Sequence, residues 1–220
     1  MNKELFEYIE HEILPRYEKF YSHGLIHINQ VRINCKLLAD YYHLDQVMCD
    51  IIAIYHDLGL KIDRNHHEIE SGKIFIADLM LKKHFTRIQL EIMKEAIEDH
   101  RGSRKERPRN FYGEVLSDSD RDFDIEVLAK RQLATSLKNN VSLKNFEEHF
   151  EFCYNYLLKR INENEHFNLW TNNPILIERR AVFESQFLDK PLTRSLYKKE
   201  YEQIASDGTL EKILNYYEDY

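Results

Sequence analysis

Along most of the chain, apolar residues recur every three or four positions, the spacing that lines one face of an α-helix. Residues 3–20 follow this pattern, with Pro15 expected to kink or divide the stretch because it lacks the N–H a helix interior needs. After a break at Ser22–Gly24, a helix is predicted from about Leu25 to His43, with Ile28, Val31, Cys35 and Leu38 on one side. Two more fit residues 66–83 and 87–100, with Ile69, Ile76 and Met80 facing inward on the first and Ile88, Ile92, Met93 and Ile97 on the second. Another starts over 114–122 and is followed by one over 125–138. Phe146, Phe150, Cys153, Leu157 and Ile161 form a clean stripe over 145–163. Pro174 opens a helix bearing Ile177, Ala181, Phe183 and Phe187; Pro191 interrupts, and short helices near 195–206 and 209–218 complete the chain.

Residues 46–58, QVMCDIIAIYHDL, break the one-sided pattern. Val47, Met48, Ile51, Ile52, Ile54, Tyr55 and Leu58 surround the helix, which predicts a central element buried on every side. Gly59 then reads as its C-cap, glycine being the residue that reaches positive φ without steric cost.

Composition agrees with helices. The chain has 220 residues with only 6 glycines and 4 prolines, the residues that most often punctuate strands and turns. The expected fold is all-α, an irregular multi-helix bundle in one domain over 1–220, with residues from about 145 onward as a peripheral layer. The net charge of -7, from 31 basic and 38 acidic side chains, disfavours a nucleic-acid partner, although a local basic patch can still hold a phosphate. Cys35, Cys49 and Cys153 each fall within an apolar segment without CxxC spacing, the pattern of buried free thiols in a reducing compartment. No 18-residue apolar run and no signal-like N-terminus occur, so a cytoplasmic protein without a membrane span is expected. The 14 tyrosines, some in the terminal NYYEDY, are compatible with either a homodimer interface or simple packing.

The most informative chemistry lies where the all-round apolar helix ends. His56 and Asp57 follow the hydrophobic run directly, and a carboxylate kept inside needs a cationic partner or a metal. His27 and His100 fall on inward helix faces at helix ends. Asp118 and Asp120 follow the apolar Val115 and Leu116; residues i and i+2 point apart on a helix, so at most one of the two joins His56 and Asp57. Beside His100 lies a basic loop, RGSRKERPRNFY, in an otherwise acidic chain. Arg101, next to His100, and Arg104 are candidates to fork onto a phosphate, and Lys61 just after HDLG is a candidate to hold it as a single charge; the remaining basic side chains read as a solvated face paired with nearby acids.

These residues, in this order, resemble the HD-domain metal-dependent phosphohydrolase superfamily, whose pattern is H, then HD, then a distant D. The likeness covers roughly residues 20–135, which would form the metal-binding core. HGLIHINQVRINCKLLA is similar to the opening helix, with His27 as first ligand, and IIAIYHDLG to the defining step, with His56 and Asp57. HHEIESGKIF resembles the following helix, with His67 and Ser71 at the usual positions, and AIEDHRGS the next helix end, with His100 in the pocket. VLSDSDRDFD resembles the stretch whose Asp120 is the last ligand; Ser119 and Phe123 depart mildly from its usual alanine and aliphatic residue.

The resemblance implies a divalent ion (Mn, Mg, Fe, Ni, Co or Zn) on His27, His56, Asp57 and Asp120, with Asp57, His67 and His100 in catalytic roles and Lys61, Arg101 and Arg104 on substrate. One ion is the simpler reading, with a second on His67 and His100 left open. The expected reaction is hydrolysis of a phosphomonoester or phosphoanhydride of a nucleotide or small phosphorylated metabolite. The alternative is a catalytically weak nucleotide-binding or regulatory protein on the same fold.

Overall fold

The computed structural model describes residues 1–18, 23–140, 142–163, 167–206 and 211. Among them it is all-α, with eleven α-helices and no strand. By internal contacts the chain divides into two compact units. One comprises Met1–Arg121 with Leu169–Asn173; the other comprises Asp122–Asn168 and the chain from Pro174. The helix expected near 209–218 and the terminal NYYEDY lie outside the described residues, apart from Glu211.

The first unit opens with α1 (Lys3–Tyr8), a π-helical turn over Ile9–Ile13 and a 3-10 turn over Leu14–Tyr17. The division expected from Pro15 occurs, with the proline in the first turn of the 3-10 segment, where its missing donor costs nothing. Then come α2 (Leu25–Tyr42), α3 (Gln46–Tyr55), a 3-10 turn over Leu58–Lys61, α4 (His67–Ala77), α5 (Leu79–His84), α6 (Arg87–Asp99) and α7 (Phe111–Ser119). Helix α3 is the centre: Met48, Cys49 and every residue from Ile51 to Leu60 are buried. It packs against α2, α6, α7 and α4.

Three local expectations are corrected. The stretch 66–83 is two helices, because Asp78 leaves the helical conformation and takes two jobs at once. Its Oδ1 caps α5 by accepting from Met80 N at 2.8 Å, while Oδ2 accepts from the Tyr8 and Tyr55 hydroxyls, each at 2.7 Å. The inner faces of α4 and α6 are also rotated from the expected ones. Ile69 is 39% exposed and Ile88 75%, whereas Ser71, Gly72, Phe75, Leu90 and Ala96 are buried beside the expected Met93 and Ile97. Finally, Gly59 is no C-cap. It lies inside the 3-10 turn without positive φ, and its role is proximity: a Cβ there would meet His67 O at 2.3 Å and Ser71 N at 2.5 Å. The Gly59 N–H donates to Ser71 Oγ at 2.8 Å, tying the turn to α4.

The second unit contains α8 (Ile125–Asn139), α9 (Phe146–Asn162), α10 (Pro174–Leu188) and α11 (Lys190–Ser206). The interruption expected at Pro191 occurs, with α10 ending at Leu188 and Pro191 in the first turn of α11, so that the following helix begins at Lys190 and not near 195. Phe150, Tyr154, Phe183, Phe187 and Tyr197 build an aromatic core, with Tyr154 and Phe187 stacked at 4.8 Å between ring centroids. On α10, Leu176, Phe183 and Phe187 share the side that faces this core and are buried, while Ile177 and Ala181 are exposed. The three cysteines are buried and free. Among the described residues no helix is long and apolar enough to cross a membrane.

Candidate metal centre

Five elements of the first unit deliver its histidines and carboxylates to one place. Helix α2 brings His27 near its start, with His23 just before the helix. The end of α3 brings His56 and Asp57, the start of α4 brings His67, the end of α6 brings His100, and the end of α7 brings Asp120. His56, Asp57 and His100 are buried, at 0%, 2% and 1% exposure.

Asp57 is the hub. Its Oδ2 lies 2.8 Å from His23 Nδ1, 3.3 Å from His56 Nε2 and 3.6 Å from His27 Nε2. Its Oδ1 faces a different pair, His67 Nε2 at 3.5 Å and His100 Nε2 at 3.7 Å. Asp120 Oδ1 closes the first set, 3.2 Å from His27 Nε2 and 3.6 Å from His56 Nε2. The ligand atoms form three overlapping groups, His23/His27/Asp57, His27/His56/Asp120 and His56/Asp57/His100, each with its atoms within 4.8 Å of one another. The four residues expected to hold an ion thus come together, and His67 and His100 stand on the other oxygen of Asp57.

Three of the imidazoles are oriented by their own backbone. The Nδ1–H of His56 donates to Ala53 O at 2.8 Å, that of His100 to Ile97 O at 2.6 Å, and that of His67 to Arg64 O at 3.1 Å. Each bond reaches back three residues and turns Nε2 towards the carboxylates, the nitrogen that a metal would bind after displacing any proton it carries. His27 Nε2 and His56 Nε2 are buried yet form no hydrogen bond, since neither is aligned with the nearby carboxylate oxygens. Two buried ring nitrogens left without partners between two carboxylates fit a divalent cation, which accepts such lone pairs without angular demands on a proton.

The charges are strongly coupled. Burial pulls the His56 imidazole towards neutrality, but Asp57 and Asp120 outweigh it and hold its pKa well above the usual value. Burial would likewise raise both carboxyls; His56 and His23 hold Asp57 well below the carboxylate range, and His27 and His56 do the same for Asp120. His67 moves the other way: burial lowers its pKa against the pull of Asp57, favouring a neutral ring.

Asp118 and Asp120 separate as helical geometry requires. Asp118, fully buried, accepts from Trp170 N, Thr171 N and Thr171 Oγ1 at 2.7–2.9 Å. Beside them the guanidinium of Arg121 is buried and donates from Nη2 to Ser117 Oγ at 3.2 Å.

The basic loop divides by function. Arg104 reaches Asp99 at 3.1 Å, Arg109 reaches Asp99 and Glu98 at 2.9 and 2.7 Å, and Arg107 forks onto Glu114. The buried Asp99 therefore anchors the loop that follows His100. Arg101 stands at the rim, donating to Asn65 O and lying 3.6 Å from Glu68 Oε2, which is itself 3.6 Å from His67 Nδ1. Lys61 is exposed at the end of the 3-10 turn.

His23 and Glu68 were missed by the sequence reading. His23 precedes His27 by four residues, one helical turn, and that HxxxH spacing was the available signal. Nothing in the sequence distinguishes Glu68 from the other acids of a charged helix start.

No family model matches the chain, and no curated protein does. Among solved structures, the chain resembles a predicted HD superfamily hydrolase from an uncultured Thermotogales bacterium, with 20% identity and a TM-score of 0.44 over 74% of this chain and 97% of that one.

Proposed function

We propose that this chain is an HD-type metal-dependent phosphohydrolase acting on a phosphomonoester or phosphoanhydride of a nucleotide or small phosphorylated metabolite. One observation carries the reading: His27, His56, Asp57 and Asp120, separated widely in sequence, meet with two buried imidazole nitrogens left unpartnered between two carboxylates. A divalent cation held there supplies Lewis acidity to a phosphoryl oxygen and makes water a stronger acid.

The remaining groups have roles the protein performs itself. Asp57, with both oxygens directed into the site, orients the attacking water by accepting its hydrogen bond. His67, kept neutral by burial, takes up a proton, and His23 at the rim supplies one to the leaving group. Arg101 exchanges its backbone and Glu68 contacts for the substrate phosphate. Arg101→Ala is expected to raise KM about 10-fold or more, the loss of one charge-assisted hydrogen bond of about 1.5–3 kcal/mol, with a smaller change in kcat.

The two oxygens of Asp57 face two histidine sets, so a second ion, were one bound, would be held by Asp57, His67 and His100 and would take the Nε2 position otherwise open to the proton on His67. Elemental analysis separates the two cases: one ion per chain is expected, with His67 available to take up a proton, and two ions would make His67 and His100 ligands instead. The reading as a whole is tested by supplying the metal-free protein with Mn, Co, Ni, Fe, Mg or Zn and assaying phosphate release from a nucleotide and sugar-phosphate panel. Ligand linkage adds a check independent of substrate: metal at about 100 times its Kd should stabilise the fold by about 2.7 kcal/mol, reversed by chelator. No release and no stabilisation with any of these ions would end the proposal.

A further inference from the structure

We infer that Asp118 and the segment Leu169–Asn173 form a clasp that positions Asp120 for the cation, making Asp118 and Thr171 positioning residues of the proposed centre. The inference rests on the proposed cation site and extends it to residues that do not point at the ion.

Asp118 uses both carboxylate oxygens on one short segment. Oδ1 accepts from Trp170 N at 2.9 Å, and Oδ2 accepts from Thr171 N at 2.8 Å and Thr171 Oγ1 at 2.7 Å. A fully buried carboxylate is costly unless paired, and three donors are what hold this one in place. It lies in the last turn of α7, two residues before Asp120. The turn closes tightly over it, with Asp120 N donating to Leu116 O at 3.0 Å and Arg121 N to Asp118 O at 3.2 Å. A shift at Asp118 is therefore carried into the backbone of Asp120.

Helix α2, which also carries His27, grips the same corner twice. Asn34 Nδ2 donates to Ser119 O at 3.0 Å, and the Tyr42 hydroxyl donates to Thr171 O at 2.8 Å. The clasp thus sets the register between Asp120 and His27, whose Oδ1 and Nε2 stand 3.2 Å apart. Ligand sites lose affinity when their groups move by about 0.5 Å, so a register tie of this kind acts on binding before it acts on folding.

The test is a Co2+ titration of the metal-free full-length chain, followed by calorimetry and by the visible d–d absorption of the ion. Thr171→Val removes a single hydroxyl donor, and Asp118→Asn keeps the side-chain volume. Each is expected to weaken Co2+ binding about 10- to 100-fold, the usual effect of losing a group that supports a ligand, and to change the d–d spectrum. Thr171→Ser, which keeps the hydroxyl, should restore wild-type affinity. Tyr8→Phe removes a hydrogen bond to Asp78 outside the clasp; it should lower thermal stability yet leave Co2+ affinity and spectrum unchanged. Wild-type affinity in both Thr171→Val and Asp118→Asn would overturn the clasp while leaving the site standing, as would equal weakening by Tyr8→Phe. A wild-type chain that takes up no Co2+ would overturn the cation site itself, and the clasp with it.

Discussion

Asp57→Asn is expected to abolish stoichiometric metal uptake and to lower metal-dependent phosphate release by more than about 100-fold. Losing a group that merely supports a ligand already costs about 10- to 100-fold, and Asp57 is closer to the chemistry than that. Five imidazoles, those of His23, His27, His56, His67 and His100, lie 2.8–3.7 Å from its two oxygens. An amide presents one oxygen in place of two and brings no charge. Either the His27/His56 set, left with Asp120 alone, or the His67/His100 set then loses its Asp57 oxygen, and two N–H donors enter a site whose ring nitrogens are themselves aimed inward. The substitution is isosteric, so circular dichroism should report unchanged helix content. Elemental analysis decides the matter: full metal content in folded Asp57→Asn protein would show that the ion is held elsewhere.

Gly59→Ala is expected to destabilise the fold by about 3 kcal/mol or more, at the upper end of what overpacking a core costs. The added Cβ would meet backbone, His67 O at 2.3 Å and Ser71 N at 2.5 Å, and helix backbone does not yield as a side-chain tip does. Either the 3-10 turn moves off α4 or α4 moves outward, and the second response carries His67 away from Asp57. Urea denaturation should therefore show a lowered midpoint, accompanied by reduced activity in the fraction that remains folded. Gly72→Ala is the internal comparison. Its Cβ would meet Glu98 Cγ at 2.7 Å, a side-chain atom that can turn aside only by loosening the ion pairs of Glu98 with Arg109 and Lys94, while alanine favours the helix by about 0.5–1 kcal/mol over glycine. A smaller loss than at Gly59 is expected there, because a side chain and not helix backbone must move; equal damage from both substitutions would refute the close-approach explanation of Gly59.

Much of the architecture was legible along the chain because burial and helical periodicity are the same physical fact seen from two sides. The all-round apolar pattern of QVMCDIIAIY marks α3 as central, and from Met48 onward every residue of it but Asp50 is buried. Boundaries were less legible where a side chain had long-range work. Asp78 breaks the stretch 66–83 because Tyr8 and Tyr55 reach it from elsewhere in the first unit, and no local propensity announces such a partner. The exposed faces of α4 and α6 were misread for a similar reason. Ile69 and Ile88 look like core residues, but small residues such as Ser71, Gly72 and Ala96 are what permit close helix contact.

Local order along the chain was enough to place His27, His56, Asp57, His100 and Asp120 at helix ends or starts, because polar groups beside apolar faces must emerge there or be paired, whereas His67 was singled out by the family resemblance alone. It was enough, too, to separate Asp118 from Asp120, since residues two apart on a helix point in different directions. Tertiary structure alone decided that the two oxygens of Asp57 would serve two histidine sets, that Arg104 and Arg109 would turn to Asp99, and that Trp170 and Thr171 would close on Asp118. Each of those outcomes depends on distances between segments far apart in the chain, and such distances are set only when several helices pack at once.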